Sequence, residues 1–306
     1  MKSRGDSMPE TPTPSPLYVA ARRALLDGLA ALGEQRQAAI LVGAHAVYLR
    51  VGEGDLATTP HTTDADLALD PSLLGGDPLL SEALVAAGFW PKMGASGRIV
   101  GSWVAEQQVE GRVVHVDLDL LVPEAVSGEG TRAARLGAQG DHLARKAFGL
   151  ELALVDNDLM DVGSLDSDPR NFEVHVAGPA ALLISKVHKV TERLDDPRRN
   201  DHIAKDALDI LRLLRGDDLD SMARVLAQAR AAELDTADPV VAVAIATTVE
   251  QGLTVLKAEF SREAARGCAL AGRAAAGRDD PAVIAASLAA LVQRLLELLE
   301  RPRSSA

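Results

Sequence analysis

The sequence predicts an α+β chain: a mixed sheet with flanking helices, followed by a helical C-terminal domain. Three observations carry this. Arg112 to Val122 alternates with period 2, the signature of a strand. Ala39-Ile40-Leu41-Val42 is a short apolar run closed by Gly43, as expected of a buried strand entering a tight turn. From Pro179 onward the apolar residues recur almost throughout at helical spacing.

The elements follow in order. Residues 1–16 are polar and Pro-rich, a composition that cannot bury a core, so this tail is expected to be disordered. Leu25, Leu26, Leu29 and Leu32 mark a first amphipathic helix over Leu17 to Leu32. After the strand at Ala39 comes a short helix, Ala44 to Arg50, then a Gly- and Thr-rich loop and a second strand, Asp64 to Leu69. Asp77 to Gly88 reads as a helix with a C-terminal glycine. Arg98 to Val104, Arg112 to Val122, Leu150 to Val155 and Phe172 to Val176 read as strands. Pro179 to Arg193 and Asp201 to Arg215 read as helices, and Asp220 to Arg301 as further helices broken near 235–239 and 277–281. The division is thus a tail at 1–16, an α/β domain at 17–177 and a helical domain at 178–306.

Composition narrows the function classes. The chain has 306 residues, 47% hydrophobic, with 32 Lys and Arg against 44 Asp and Glu, a net charge of −12. Proteins that coat nucleic acid need a cationic field to displace counterions, so that class is excluded, although a local basic cleft is not. Aromatics are 3%, leaving few platforms on which to stack bases. Cys268 is the sole cysteine, which excludes an internal disulfide framework and a cysteine-rich zinc site. No run of about 18 uninterrupted apolar residues occurs, nor an apolar leader, so a cytoplasmic protein with no membrane span is expected.

The motif that carries chemistry is Thr62-Thr63-Asp64-Ala65-Asp66-Leu67. Carboxylates at i and i+2 of a strand leave the same face, and like charges there repel unless a cation lies between them. Magnesium takes one or two carboxylates together with phosphates and water. Alone, a D-x-D triplet is more often a solvated strand edge or an Asx turn. Three features add to it. Gly43, at a strand-to-helix turn, lets the backbone approach a phosphate. Asp117 and Asp119 leave one face of the 112–122 strand, and either could supply a third carboxylate. Lys186, Lys189 and Arg193 share a helix face suited to a triphosphate, with Arg198 and Arg199 adding local basic charge. His45, His115, His175, His188, Trp90 and Trp103 are expected to pack or to lie on the surface.

In this order and spacing the residues resemble a nucleotidyltransferase of the polymerase-beta-like superfamily, and more narrowly the AbiEii-type toxin family. The matching parts are the glycine turn at Gly43, the T-x-D-x-D-L motif at Thr62, Asp64, Asp66 and Leu67, a later strand Asp, the Lys186 helix, and Lys205, Asp206 and Asp209. They span roughly residues 37 to 215. The turn reads Gly43-Ala44-His45, without the family's second Gly or Ser, and Pro60 with His61 stands where the family has an Arg.

The resemblance implies a nucleotidyltransferase-like sheet and Mg2+-dependent transfer of a nucleoside monophosphate from an NTP to an acceptor hydroxyl, on a tRNA end or a protein. It further implies a toxin role with an antitoxin protein as partner. Metal falls to Asp64, Asp66 and Asp119 (or Asp117), and catalysis to these with Lys186 and Asp206. Gly43, Ala44, Thr63, Lys186, Lys189 and Arg193 would contact the nucleotide. Two other readings share the residues: transfer to a small antibiotic-type acceptor, and a degenerate protein that binds nucleotide without turnover.

Overall fold

The computed structural model describes residues 14–52, 62–130, 132–194, 200–236 and 238–301. Most of the expected disordered tail therefore lies outside the described residues, as do Pro60, His61, Arg198 and Arg199. Helix α1 spans Pro16–Leu32, and the Ser15 hydroxyl caps it by accepting the Tyr18 N–H. Strand β1 (Ala39–Val42) runs directly into α2 (Gly43–Val51), and β2 covers Asp64–Leu69. Next come α3 (Leu80–Ala86), β3 (Trp90–Gly94), β4 (Gly97–Val109), β5 (Arg112–Pro123), β6 (Arg145–Ala147), β7 (Asn157–Gly163) and β8 (Asn171–Ala177). The remainder is helical: α4 (Pro179–Arg193), α5 (Asn200–Gly216), α6 (Leu219–Arg230), α7 (Pro239–Phe260), α8 (Arg266–Ala275) and α9 (Pro281–Glu300).

The strands form one mixed eight-stranded sheet in the order β3-β4-β5-β2-β1-β8-β7, with β6 pairing β5 off that path. β2 runs parallel to β5 and antiparallel to β1, which in turn runs parallel to β8. Helix α1 covers the face carrying Val114 and Val116, where Ala20, Ala21 and Ala24 pack. Gly28 sits against the Leu118 side chain on the same side. Alternation sends Asp117 and Asp119 to the opposite face. The chain changes character at Gly178, yet a single hydrophobic core continues from the sheet into the C-terminal helices.

Two expectations change. Leu150 to Val155 is not a strand: Glu151–Leu154 is a single 3₁₀ turn, and the strand begins at Asn157. The apolar run is folded back because the buried Glu151 carboxylate accepts the N–H groups of Gly149 and Glu124. Asp156 then caps α4 from outside by accepting the Ala181 N–H at 2.7 Å. The helix expected from Asp77 to Gly88 starts only at Leu80, whose N–H donates to Gln139 Oε1. Helices α7 and α9 are each long and apolar enough to cross a membrane by length and composition alone, a test that the core helix of a soluble protein also passes, and 39% and 33% of their most apolar windows are buried.

Candidate functional site

The sheet centre brings the carboxylates together. Asp66 lies between Val42 of β1 and Asp119 of β5, and Asp64 lies beside Asp117. Because β2 and β5 are parallel and in register, the two D-x-D triplets run side by side with their carboxylates on one face. Asp66 is only 5% exposed, and its carboxylate accepts no hydrogen bond among the described residues. Burial pushes its pKa up, and Asp64 and Asp119 add to this against the pull of Lys189 and Lys186. Asp64 behaves oppositely. Burial raises it too, but the Thr62 hydroxyl, bound at 2.6 Å, and the ammonium groups of Lys189, Lys205 and Lys186 hold it at about 2.

Gly43 fixes this arrangement. Its φ is +69°, and a Cβ there would stand 2.1 Å from Asp66 Oδ2. Only glycine leaves room for the carboxylate while turning β1 into α2. The following helix has no side-chain cap on its first turn. His45, in the first turn of α2, is buried, accepts Arg22 Nε–H on Nδ1 at 3.2 Å, and leaves Nε2 without a partner among the described residues. Burial and the nearby Arg22 hold it well below the usual histidine range, so it is neutral.

The two third-carboxylate candidates separate. Asp117 pairs with Lys92, while Asp119 lies directly across from Asp66 and acts on it electrostatically. Both Asp119 oxygens are engaged: Oδ1 by the Ser102 hydroxyl at 2.6 Å and Oδ2 by Arg145 at 3.0 Å. Among the described residues no group of three or more His, Cys, Asp or Glu side chains is gathered closely enough to hold a metal ion. The donor chemistry nevertheless fits a hard cation, because aligned carboxylates accumulate charge at Asp66 and the glycine turn keeps its oxygen open.

Asp66 and Gly43 open onto a cleft of about 230 Å³. In a chain of net charge −12, this cleft is lined by Arg145, Lys146, Lys186, Lys189 and Arg193, against Glu124 and Glu192, with Phe148 on its wall. Lys189 forms no ion pair among the described residues. Lys186 differs: it is 3% exposed, and its ammonium donates to Asp206 and Asp209, each at 2.8 Å. Arg193 completes Asp206 at 2.9 Å and Arg212 completes Asp209 at 2.7 Å. Burial pulls the Lys186 pKa down, but the Asp206 and Asp209 carboxylates outweigh it, lift the pKa above the usual lysine range and keep the side chain charged.

Of the residues expected to contact nucleotide, Gly43, Lys186, Lys189 and Arg193 line the cleft. Thr63 is exposed and Ala44 is buried, and neither lines it. Asp206, expected to act in catalysis, is 4% exposed and spent on Lys186 and Arg193. Sequence reasoning missed Arg145 and Lys146, on a three-residue strand too short to show a period, and Phe148 just beyond it. It quoted Lys205 without a role. That side chain is only partly exposed, makes no ion pair among the described residues, and burial lowers its pKa. No protein-family model, no curated protein and no solved structure matches the chain.

Proposed function

We propose that the protein is a magnesium-dependent nucleotidyltransferase of nucleotidyltransferase-like fold, moving a nucleoside monophosphate from an NTP to a hydroxyl of RNA or protein. One observation carries the reading: a buried Asp66, unpaired among the described residues and flanked by two further carboxylates, faces a cleft rimmed by cations in an acidic chain. A carboxylate and several cationic groups lining one cleft suit a ligand that brings phosphate and divalent metal together. Asp64, Asp66 and Asp119 would hold Mg2+, which when bound activates the acceptor hydroxyl and stabilises the departing pyrophosphate.

The chain's own residues do the rest. Lys189 orients the phosphates from α4, and Arg145 and Lys146 do so from β6. The uncapped start of α2 adds backbone N–H groups beside Asp66. Lys186 supplies charge from beneath rather than a ligand, since its three N–H bonds are directed largely to Asp206 and Asp209. The cationic rim repels a polycationic acceptor such as an aminoglycoside, which favours RNA or protein. A toxin role, with an antitoxin protein as partner, rests on the family resemblance alone.

The test is incorporation of labelled NTPs into total RNA and into protein. Asp66→Ala is expected to abolish incorporation while leaving the thermal transition cooperative. Incorporation at the wild-type rate by Asp66→Ala overturns the assignment.

A further inference from the structure

Arg145 is held in place by more than its own side chain. Its strand pairs with β5 at Leu121, just beyond the point where β4 leaves that edge. Gly101 makes the docking feasible: at φ +75° it lies against the Arg145 backbone, and a Cβ there would stand 2.5 Å from Arg145 N. The indole N–H of Trp103 donates to the Leu143 carbonyl at 3.1 Å. Ala134 N–H donates to the Ala144 carbonyl at 3.1 Å, and Lys146 N–H to the Arg132 carbonyl at 2.9 Å. The backbone is thus fixed on both sides, and only the guanidinium is free to choose a partner.

That partner is the carboxylate that a metal would need. With Ser102 on one oxygen and Arg145 on the other, each Asp119 oxygen already has a donor, and a cation entering there meets the positive guanidinium across the same carboxylate. The pair is partly solvated, the Arg145 and Asp119 side chains being 28% and 19% exposed. It can therefore open, unlike the Lys186–Asp209 pair at 3% and 0%. Arg145 also lines the cleft, so a released guanidinium remains in the cavity that receives phosphates, where its planar fork suits them.

We propose that Arg145 is the exchangeable counter-ion of this site: it holds Asp119 while no divalent cation is bound, yields it when one arrives, and then pairs with the phosphates of the nucleotide. This rests on the nucleotidyltransferase reading. A guanidinium and a divalent cation repel one another across one carboxylate, so metal and nucleotide are expected to bind cooperatively, with Arg145 as a positioning residue.

The experiment titrates Mn2+ alone, followed by electron paramagnetic resonance of the free ion, into the full chain and its variants. Arg145→Gln is expected to bind Mn2+ roughly fivefold or more tightly than wild type, the lower end of ordinary coupling. In an Asp119→Asn background the same substitution is expected to change nothing. Asp66→Asn is expected to lose Mn2+ binding. If Arg145→Gln does not fold, Arg145→Lys serves, since a monodentate ammonium holds Asp119 less well and Mn2+ should again bind more tightly. Unchanged or weaker Mn2+ binding by the Arg145 variants, with Asp66→Asn still defective, overturns the counter-ion and leaves the nucleotidyltransferase reading standing. If neither wild type nor variants bind Mn2+, the metal site of that reading fails and this inference falls with it.

Discussion

Two charge clusters share one cleft and are built in opposite ways. Beneath α4 and α5, Lys186, Arg193, Asp206, Asp209 and Arg212 form a closed network in which each buried charge has an opposite partner within 2.9 Å. On the sheet, Asp66 has no hydrogen-bond partner among the described residues, and Asp119 is held by a partly exposed Arg145. Burying a charge costs several kcal/mol unless it is paired, so a paired cluster can be structural while an unpaired one needs another reason to persist. On the proposed function, the difference gives the closed network beneath the helices a structural role and leaves the open carboxylates of the sheet to the ligand.

The largest expected effect tests the closed cluster. Asp209 is fully buried and accepts from both Lys186 and Arg212. Asp209→Ala leaves each short of a carboxylate and is expected to cost about 3–5 kcal/mol, the usual loss when one partner of a buried pair is removed. Urea unfolding measures it. A loss below about 1 kcal/mol would mean that the network is solvated and available to ligands, and the two clusters would no longer differ in kind.

The open cluster is expected to respond with the opposite sign. Because burial and its acidic neighbours raise the Asp66 pKa, the folded state binds a proton more tightly than the unfolded chain. The stability associated with that proton is complete below the unfolded value of 3.8 and is lost as pH rises through the folded value. Asp66→Asn removes this penalty at neutral pH and is expected to stabilise the fold by about 0.5–2 kcal/mol, the range common when a strained functional group is replaced. The gain should vanish below about pH 4, where the aspartate is itself neutral. Destabilisation at pH 7 would place Asp66 among the structural charges.

Much of this contrast could be read from the chain, and what could not has identifiable causes. The Asp64-Ala65-Asp66 strand, the Gly43 turn and the Pro179 helix carry local signals: period 2, a glycine at a turn, and a proline at a helix start. The choice between Asp117 and Asp119 is a matter of strand register, which becomes visible only once β2 and β5 pair. Lys186 and Lys189 are equivalent in helical spacing and both line the cleft, yet only Lys186 is bound to Asp206 and Asp209 of α5, a pairing that appears only once the two helices pack. Arg145 lies on a strand of three residues whose position depends on Gly101, a contact 44 residues distant in sequence from Arg145. The run at Leu150 is apolar without being extended, since a buried glutamate folds it back.

The smallest expected change in stability separates the two lysines most sharply. Lys189 is partly exposed, lines the cleft and makes no ion pair among the described residues, so Lys189→Met breaks no direct contact and removes only a longer-range pull on Asp64 and Asp66. Its effect on unfolding is expected to lie within about 0.5 kcal/mol, as for surface positions in general. If the ammonium meets phosphate, triphosphate binding should nonetheless weaken by about tenfold or more, the worth of one charge-assisted hydrogen bond of roughly 1.5–3 kcal/mol. Lys186→Met is expected to do the reverse, unfolding more readily because Asp206 and Asp209 lose their shared cation. Calorimetric titration with each NTP in the presence of Mg2+, beside urea unfolding of the same variants, reads both axes. Were Lys189→Met to bind NTP like wild type, the phosphates would have to lie against Arg145 and Lys146 instead, and the α4 face would belong with the structural cluster beneath it.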